Sequence, residues 1–288
     1  MEIAVQIGLN TIVAGSIYAL VALGFNLIYS TARFFDLGYG ALAAVGGYVV
    51  FFLSQKLGWN IFPSIGLGIL VAGALGFLVE KVVYRQLRAR RASSTVLLIA
   101  SLGVLTVIQA IIAIIFSSQF QTLARDIGNA RVFWVFGGVI TEVQVIILGS
   151  AILIMAILAW TLKHTLFGKA IKAVSDDEEV AQIVGINSEK VIGGVFFIGS
   201  AIAGVAGIAT GFDTGLLPTI GLALLLNGVI AAIVGGVGNV YGGVLGAFAL
   251  GLAENIGAWV LPGEWKFAIA FAVLILFLIF RPQGILPK

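Results

Sequence analysis

The sequence predicts an all-α polytopic membrane protein, on three observations. Of 288 residues, 60% are hydrophobic and only 10% charged, far from the roughly 25% charged residues of a soluble domain. Mean hydropathy is +1.15. Apolar runs of about the 20 residues needed to cross a bilayer recur along the whole chain, and Lys and Arg gather in a few loops between them. No polar stretch is long enough to build a separate core. A single transmembrane domain over residues 1–288 is therefore expected, with one cytoplasmic loop at 163–190.

The N-terminus has no basic flank, and its apolar run from Ile3 to Tyr29 exceeds a signal-peptide core. It reads as the first transmembrane helix. Leu37–Leu53 and Ile61–Val83 follow, then Thr95–Phe116 and Val143–Leu162 after a basic loop. Beyond the long polar loop lie Val191–Gly211, Thr219–Val234, Val240–Val260 and Phe267–Phe280. The eighth of these, Gly-rich and polar at both ends, reads as re-entrant or broken, which makes the count eight or nine.

Charge sets orientation, because loop Lys and Arg stay on the cytoplasmic side. Lys81, Arg85, Arg88, Arg90 and Arg91 crowd one loop, Lys163, Lys169, Lys172 and Lys190 another, and Arg281 and Lys288 the tail. All three are expected to be cytoplasmic, with the C-terminus inside and the N-terminus outside. The loop Ser117–Glu142, with Arg125 and Arg131 against Asp126 and Glu142, then faces outward.

Glycine is abundant, at 38 residues, and it falls at helix-packing spacing. Gly207, Gly211 and Gly215 form one row, Gly242 and Gly246 a second, and Gly243, Ala247 and Gly251 a third. Small residues four apart let helix backbones approach closely. The other reading, that Gly235, Gly236 and Gly238 break a helix to line a path, is open. A weak likeness between GYGALAAVGGY and VYGGVLGAFAL hints at an internal repeat.

The longest water-seeking run is His164–Lys190. Within it Leu166–Val174 is a short amphipathic segment, with Ala170, Ile171 and Val174 opposite Lys169 and Lys172. A second helix is expected from Asp176 to Val184, capped by Ser175 with Glu178 reaching back and stopped by Gly185. Asp176, Asp177, Glu178 and Glu179 place negative charge at the positive end of that helix. Helices this short are marginal alone in water, and four acidic residues in a row disfavour an anionic lipid surface. The pair is expected to dock on a cytosolic protein; a solvated loop is the alternative.

Enzyme chemistry is not legible. The single histidine, His164, lies at a cytoplasmic boundary beside Lys163, and there is no cysteine. Gly211-Phe212-Asp213 is half of an intramembrane aspartyl-protease motif without its other half. Gly168-Lys169 lacks the rest of a P-loop, and Gly236-Val237-Gly238 lacks the third glycine of a dinucleotide turn. No catalytic residue, metal site, cofactor or nucleic-acid surface is expected.

Transport is the remaining function, and ionisable groups within apolar segments are its candidates. Asp36, with Tyr39 and Gly40 in a glycine-weakened stretch, either lines a path or caps the second segment at the cytoplasmic face. Glu80 sits among Lys81 and Arg85 and reads as an ion-pair partner. Glu254 lies in the path or, with Asn255 and Trp259, at the interface.

Glu80-Lys81-Val82-Val83-Tyr84-Arg85-Gln86-Leu87-Arg88 resembles the E-[RK]-x-x-Y-R-P-L-R stretch of high-affinity branched-chain amino-acid ABC transporter permeases. LLIASLGVLTVIQ, FGKAIKAVSDDEEVAQIVGIN, IAAIVGGVGNVYGGVLGAFALGLAE and RPQGIL are similar to further parts of that family, in the same order. Within the second, Glu179-Val180-Ala181 and Gly185 fit the E-A-A-x-x-x-G pattern by which importer permeases meet their ATPases. The resemblance implies an ABC importer permease fold, with Glu179, Val180, Ala181, Val184 and Gly185 as coupling residues. It also implies a second permease, identical or homologous, two cytosolic ATPases that bind the ATP, and an extracytoplasmic binding protein, all at a prokaryotic cytoplasmic membrane.

Three departures stand out. Asp36-Leu37-Gly38-Tyr39-Gly40 replaces Asn-Phe-Ala-His-Gly, Gln86 replaces proline, and Val180 replaces alanine. The implied cargo is a branched-chain or other hydrophobic amino acid, with urea or another amide as the alternative within the fold. A stand-alone ion-coupled carrier and a membrane scaffold are the alternatives from other classes.

Overall fold

The computed structural model describes residues 2–124 and 131–286 and is almost wholly helical. Arg125 and Asp126 of the outer loop, and Lys288 of the tail, lie outside the described residues. Among the described residues, eight helical stretches are long and apolar enough to cross a membrane. Five of them are single helices: α1 (Glu2–Ala32), α5 (Ser94–Phe116), α6 (Glu142–His164), α9 (Ser188–Asp213) and α11 (Val240–Val260).

Two more change pitch along their length. α2 (Gly38–Phe51) runs on through a wider π-type turn, Phe52–Lys56. α3 (Ile61–Val79) runs through another, Glu80–Tyr84, into α4 (Arg85–Ala89). The last span is α12 (Lys266–Phe280), entered through a 3-10 turn at Gly263–Trp265. A ninth apolar helix, α10 (Ile220–Gly235), is shorter, and two small helices, α7 (Leu166–Asp176) and α8 (Glu178–Ile183), form the polar loop.

The sequence-based expectation of a re-entrant or broken eighth segment is not met; the shorter helix is the seventh, α10. α11 is a continuous 21-residue helix, while α10 has only 16 residues. The reason is local. Asn239 caps α11 by accepting from the amides of Tyr241 and Gly242, so its glycines sit inside a well-started helix and serve packing. Gly242 and Gly246 lie against the backbone of α10 at Gly235 and Ala231, whereas Gly243 and Gly251 lie against Asn26, Thr11 and Gly15 of α1. Two rows on one helix thus face two neighbours. Gly215, by contrast, lies beyond the end of α9 in a turn with φ +94 and is not part of a helix row.

Close approach also holds α2 to α9. A Cβ at Gly46 would lie 2.5 Å from the Cα of Gly204, and one at Gly207 would overlap the carbonyl of Ala43. α1, α2 and α9 are largely buried, whereas α5, α6 and α12 leave most of their surface open to lipid.

One end of the bundle carries the basic loops. There Arg33, after α1, donates to the carbonyl of Ser175 in α7, and Arg85 pairs with Glu189 at the start of α9. The opposite end carries, within the loop Ser117–Glu142, an antiparallel hairpin of β1 (Val132–Val135) and β2 (Gly138–Thr141). Phe136 and Gly137 make its turn, both at positive φ, as a two-residue hairpin turn of the primed type requires. Gln6 clamps the hairpin to α1, donating to the Val139 carbonyl at 3.1 Å and accepting from its amide at 2.8 Å.

The tail is tied in as well. The amides of Ile285 and Leu286 donate to the carbonyls of Val234 and Gly235, each at 2.9 Å. Those carbonyls belong to the last turn of α10, which has no partner of its own for them. Gly284, at φ +77, packs on the backbone of Gly236. Gly284→Val is therefore expected to lose the left-handed turn and both bonds, about 2 kcal/mol or more. Thermal unfolding in detergent checks this: a lowered midpoint is the expected result, and an unchanged one removes the tail from the fold.

Candidate functional site

The polar loop is built as two helices set back on the bundle. Thr165 ends α6 and caps α7, accepting from the Gly168 amide at 3.0 Å, while Gly168 presses on the backbone of Thr161 and Leu162. That contact folds α7 sharply against α6. Ile171 and Val174 are buried, as their spacing predicts, and Lys169 and Lys172 are exposed.

The cap of the second helix is not Ser175. Ser175 is buried in the last turn of α7, and the break falls at Asp177, whose extended backbone separates the helices. The Asp177 carboxylate accepts from the amides of Glu179 at 2.9 Å and Val180 at 3.0 Å. A carboxylate satisfies two orphan amides where a hydroxyl satisfies one, and it carries charge suited to the helix dipole. α8 ends as the sequence suggested. Gly185 has φ +88, its amide donates to Gln182, and the Ile186 amide reaches back to Ala181, a Schellman closure.

Of the five coupling candidates, Val180 is 54% exposed, Val184 68% and the neighbouring Ile183 83%, whereas Ala181 is 2% exposed. Glu179 is exposed in the first turn. Ala181 thus faces the subunit itself, and the open apolar patch is Val180, Ile183 and Val184. Three exposed apolar side chains on a short helix held at both ends by satisfied caps form a small apolar knob.

The loop is tied to the bundle by Arg33, which gave no sequence signal, while Arg85 of the EKVVYRQLR stretch holds the start of α9 just beyond it. Arg33, at φ +56, reaches the carbonyl of Ser175, at the carboxyl end of α7, where a cation is favoured. Arg85 pairs with Glu189 just beyond the knob, and Arg88 pairs with the buried Glu80. Glu80 is an ion-pair partner as expected, but its partner lies eight positions on. Arg85–Glu189 is half exposed and positions more than it stabilises, at roughly 0.2–1 kcal/mol.

Tyr84 completes the set, donating to Asp36 at 2.6 Å. Asp36 is buried between α1 and α2, where the amides of Gly38 and Tyr39 also reach it. Burial pushes its carboxyl up to about 6, against the pull of those hydrogen bonds. Tyr39 is buried, donating to the Val21 carbonyl at 3.1 Å, and Gly40 abuts the backbone of Gly221 in α10. Within one subunit these three residues sit in packed contacts.

The shift has a sign. An Asp raised above its unfolded value of about 3.9 loses stability as pH climbs from about 4 to 6, because the unfolded chain ionises first. Asp36→Asn keeps the acceptor for Tyr84 and removes that loss. The expected gain is about 3 kcal/mol above pH 6, shrinking toward nothing near pH 4. Melting curves of both proteins across this range decide it; a pH-independent difference contradicts the buried charge.

Glu254 lies toward the opposite end. It is buried in α11 and accepts from the Tyr18 hydroxyl at 2.7 Å, with Asn227 of α10 beside the same phenol. The side-chain oxygen of Asn227, Oδ1, has no hydrogen-bond partner. The candidates therefore form two separate places, Asp36, Tyr39 and Gly40 near the loop end and Glu254 in the other half. Tyr18 and Asn227 gave no sequence signal, because each stands alone in an apolar run. Among the described residues no group of three or more His, Cys, Asp or Glu could hold a metal.

Among the described residues, nine apolar helices around glycine seams, with one polar helix pair packed at one end, define a polytopic helical membrane protein. The chain belongs to the family of branched-chain amino acid transport system permease components, whose model matches residues 7–278. It is 31% identical to the high-affinity branched-chain amino acid transport system permease protein BraD of Pseudomonas aeruginosa, over 97% of this chain and 94% of that protein. Identity to LivH of Escherichia coli (strain K12), a permease protein of the same description, is also 31% over the same shares. The Escherichia coli permease protein LivM is 25% identical, over 94% of this chain and 68% of that one. Among solved structures, PsaBC from Streptococcus pneumoniae in complex with Fab aligns with a TM-score of 0.54 at 15% identity, covering 95% of this chain and 91% of that one. The last likeness speaks to the fold alone.

Proposed function

We propose that this chain is a permease subunit of an ATP-driven importer of branched-chain or other aliphatic amino acids. It pairs with a second permease, takes its energy from two cytosolic ATPases that bind the ATP, and receives cargo from an extracytoplasmic binding protein. The observation that carries the reading is the open patch Val180, Ile183 and Val184 on a helix capped by Asp177 and Gly185. Such a patch fits a hydrophobic groove on a partner. The ties from Arg33 and Arg85 would pass movement of the loop to α1 and, through α9, to α4 as rigid-body displacement.

With α10 counted as a ninth crossing, the N-terminus and the hairpin lie outside and the loop and tail inside, a reading supported by the basic clusters. Asp36, Tyr39 and Gly40 then shape the inner end of the path and Glu254 its outer half, where an intramembrane carboxylate calls for a functional account. Reconstitution tests the whole: import with ATP and all partners, and none by the chain alone under an ion gradient. Uptake by the chain alone would instead make it a secondary carrier.

A further inference from the structure

A slot of about 360 Å³ lies between α2, α3 and α5, in the half of the bundle toward the hairpin. Val45, Tyr48, Val49 and Phe52 of α2 and its wide turn line it, with Leu75 of α3 and Ile111 of α5, and the walls present only apolar atoms. It opens sideways past Phe52 and Ile111, both exposed, on a flank where α5 leaves most of its surface to lipid.

Val45, Val49, Phe52 and Lys56 recur at i, i+4, i+7 and i+11, one stripe of a helix. Lys56 therefore continues the line of the slot, exposed just past its end and without an ion-pair partner among the described residues. Trp59, also exposed, follows as an indole does at the membrane–water boundary. From Val45 to Lys56 a helix rises roughly 16 Å, about half of a 30 Å hydrocarbon core. At that length the volume leaves room for one extended hydrocarbon chain and not for a helix about 10–12 Å across. A zwitterionic solute inside the slot would leave both its charges without partners. An apolar slot one leaflet deep beneath a single cation matches an amphiphile with a long hydrocarbon chain and an anionic head.

We propose that the slot seats one acyl chain of an anionic phospholipid from the leaflet at the hairpin end, with the phosphate at Lys56. The stem of Lys56 lies along the chain and its ammonium reaches the headgroup. A lipid so held braces α2 against α3 and α5, whichever solute the subunit carries.

The test is a titration of the full chain in mild detergent with phosphatidylglycerol and with phosphatidylcholine, read as lipid adducts by native mass spectrometry. One tight phosphatidylglycerol adduct is expected, with phosphatidylcholine held about fivefold more weakly. Lys56→Gln, at an exposed position, should weaken phosphatidylglycerol binding by about fivefold and erase the preference between the two lipids. Ile111→Trp, which fills the mouth of the slot from an exposed position, should remove the tight adduct of both, with melting curves in lipid-free detergent as the control for folding. A phosphatidylglycerol carrying a diazirine on its acyl chain should label α2 and α5 well above α12, which is equally open to lipid. Unchanged binding by Lys56→Gln, undiminished binding by Ile111→Trp, or even labelling of α5 and α12 overturns the proposal. So does loss of the adduct once a second permease is assembled with the chain, since protein would then cover the slot.

Discussion

Ile183→Asp leaves the permease folded and in the membrane but weakens its hold on the ATPase by roughly tenfold to a hundredfold or more. Ile183 is 83% exposed in the subunit, so an aspartate there costs the fold little. In the proposed complex the same position is covered by the ATPase, and losing one aliphatic contact there costs about 1.5–3 kcal/mol, before the penalty of burying an unpaired carboxylate. Substrate-stimulated ATP hydrolysis falls with it. Co-purification and hydrolysis rates read the effect, and the melting curve of the permease serves as the control. Ala181→Asp is a poorer test than the coupling pattern suggests, because Ala181 is buried against its own subunit and the change would disturb the loop itself. Full coupling with aspartate at 183 would leave α8 a solvated connection.

Gly207→Val is expected to prevent the bundle from assembling. The added Cβ would overlap the carbonyl of Ala43, and one turn away Gly204 already meets Gly46 backbone to backbone. Ordinary overpacking costs roughly 1–3 kcal/mol because side chains can shift. Here the obstacle is main chain, so α2 and α9 must part along the seam. Gly103→Val is the matched control, since nothing lies within 4 Å of a Cβ there. Size-exclusion profiles in mild detergent should show a folded peak for the control only. Two equal peaks would mean that the seam tolerates separation.

Much of this was legible in the sequence because membrane helices announce themselves by length and apolarity. The nine apolar segments were placed within a few residues of their observed ends, and the rows Gly242–Gly246 and Gly243–Gly251 were read as packing faces, which they are. Gly185 was legible too, since a helix needs a left-handed stop where its apolar pattern ends. What sequence spacing could not reveal was which of two neighbouring polar residues would break a helix, and Asp177 did so rather than Ser175. Nor could it show that Ala181 turns inward, because a six-residue helix presents too short a pattern to separate a docked face from an open one. Tyr18 and Glu254 meet across 236 positions, and Arg33 reaches Ser175 across 142. Such pairs exist only once the helices are packed. The hairpin had a local signal in Phe136-Gly137 between two short runs rich in β-branched and aromatic residues, Val132–Val135 and Gly138–Thr141, but a long outer loop of a membrane protein hid it.

The claim at the centre is that the open face of α8 is covered by the ATPase, and a thiol probe tests it directly. The chain contains no cysteine, so Ile183→Cys provides a single reactive position. Its labelling by a membrane-impermeant maleimide is measured in inside-out vesicles, with the permease alone and with the assembled transporter. Fast labelling alone and labelling at least about tenfold slower in the complex is the predicted result. Equal rates in both would place position 183 in water throughout and contradict the account.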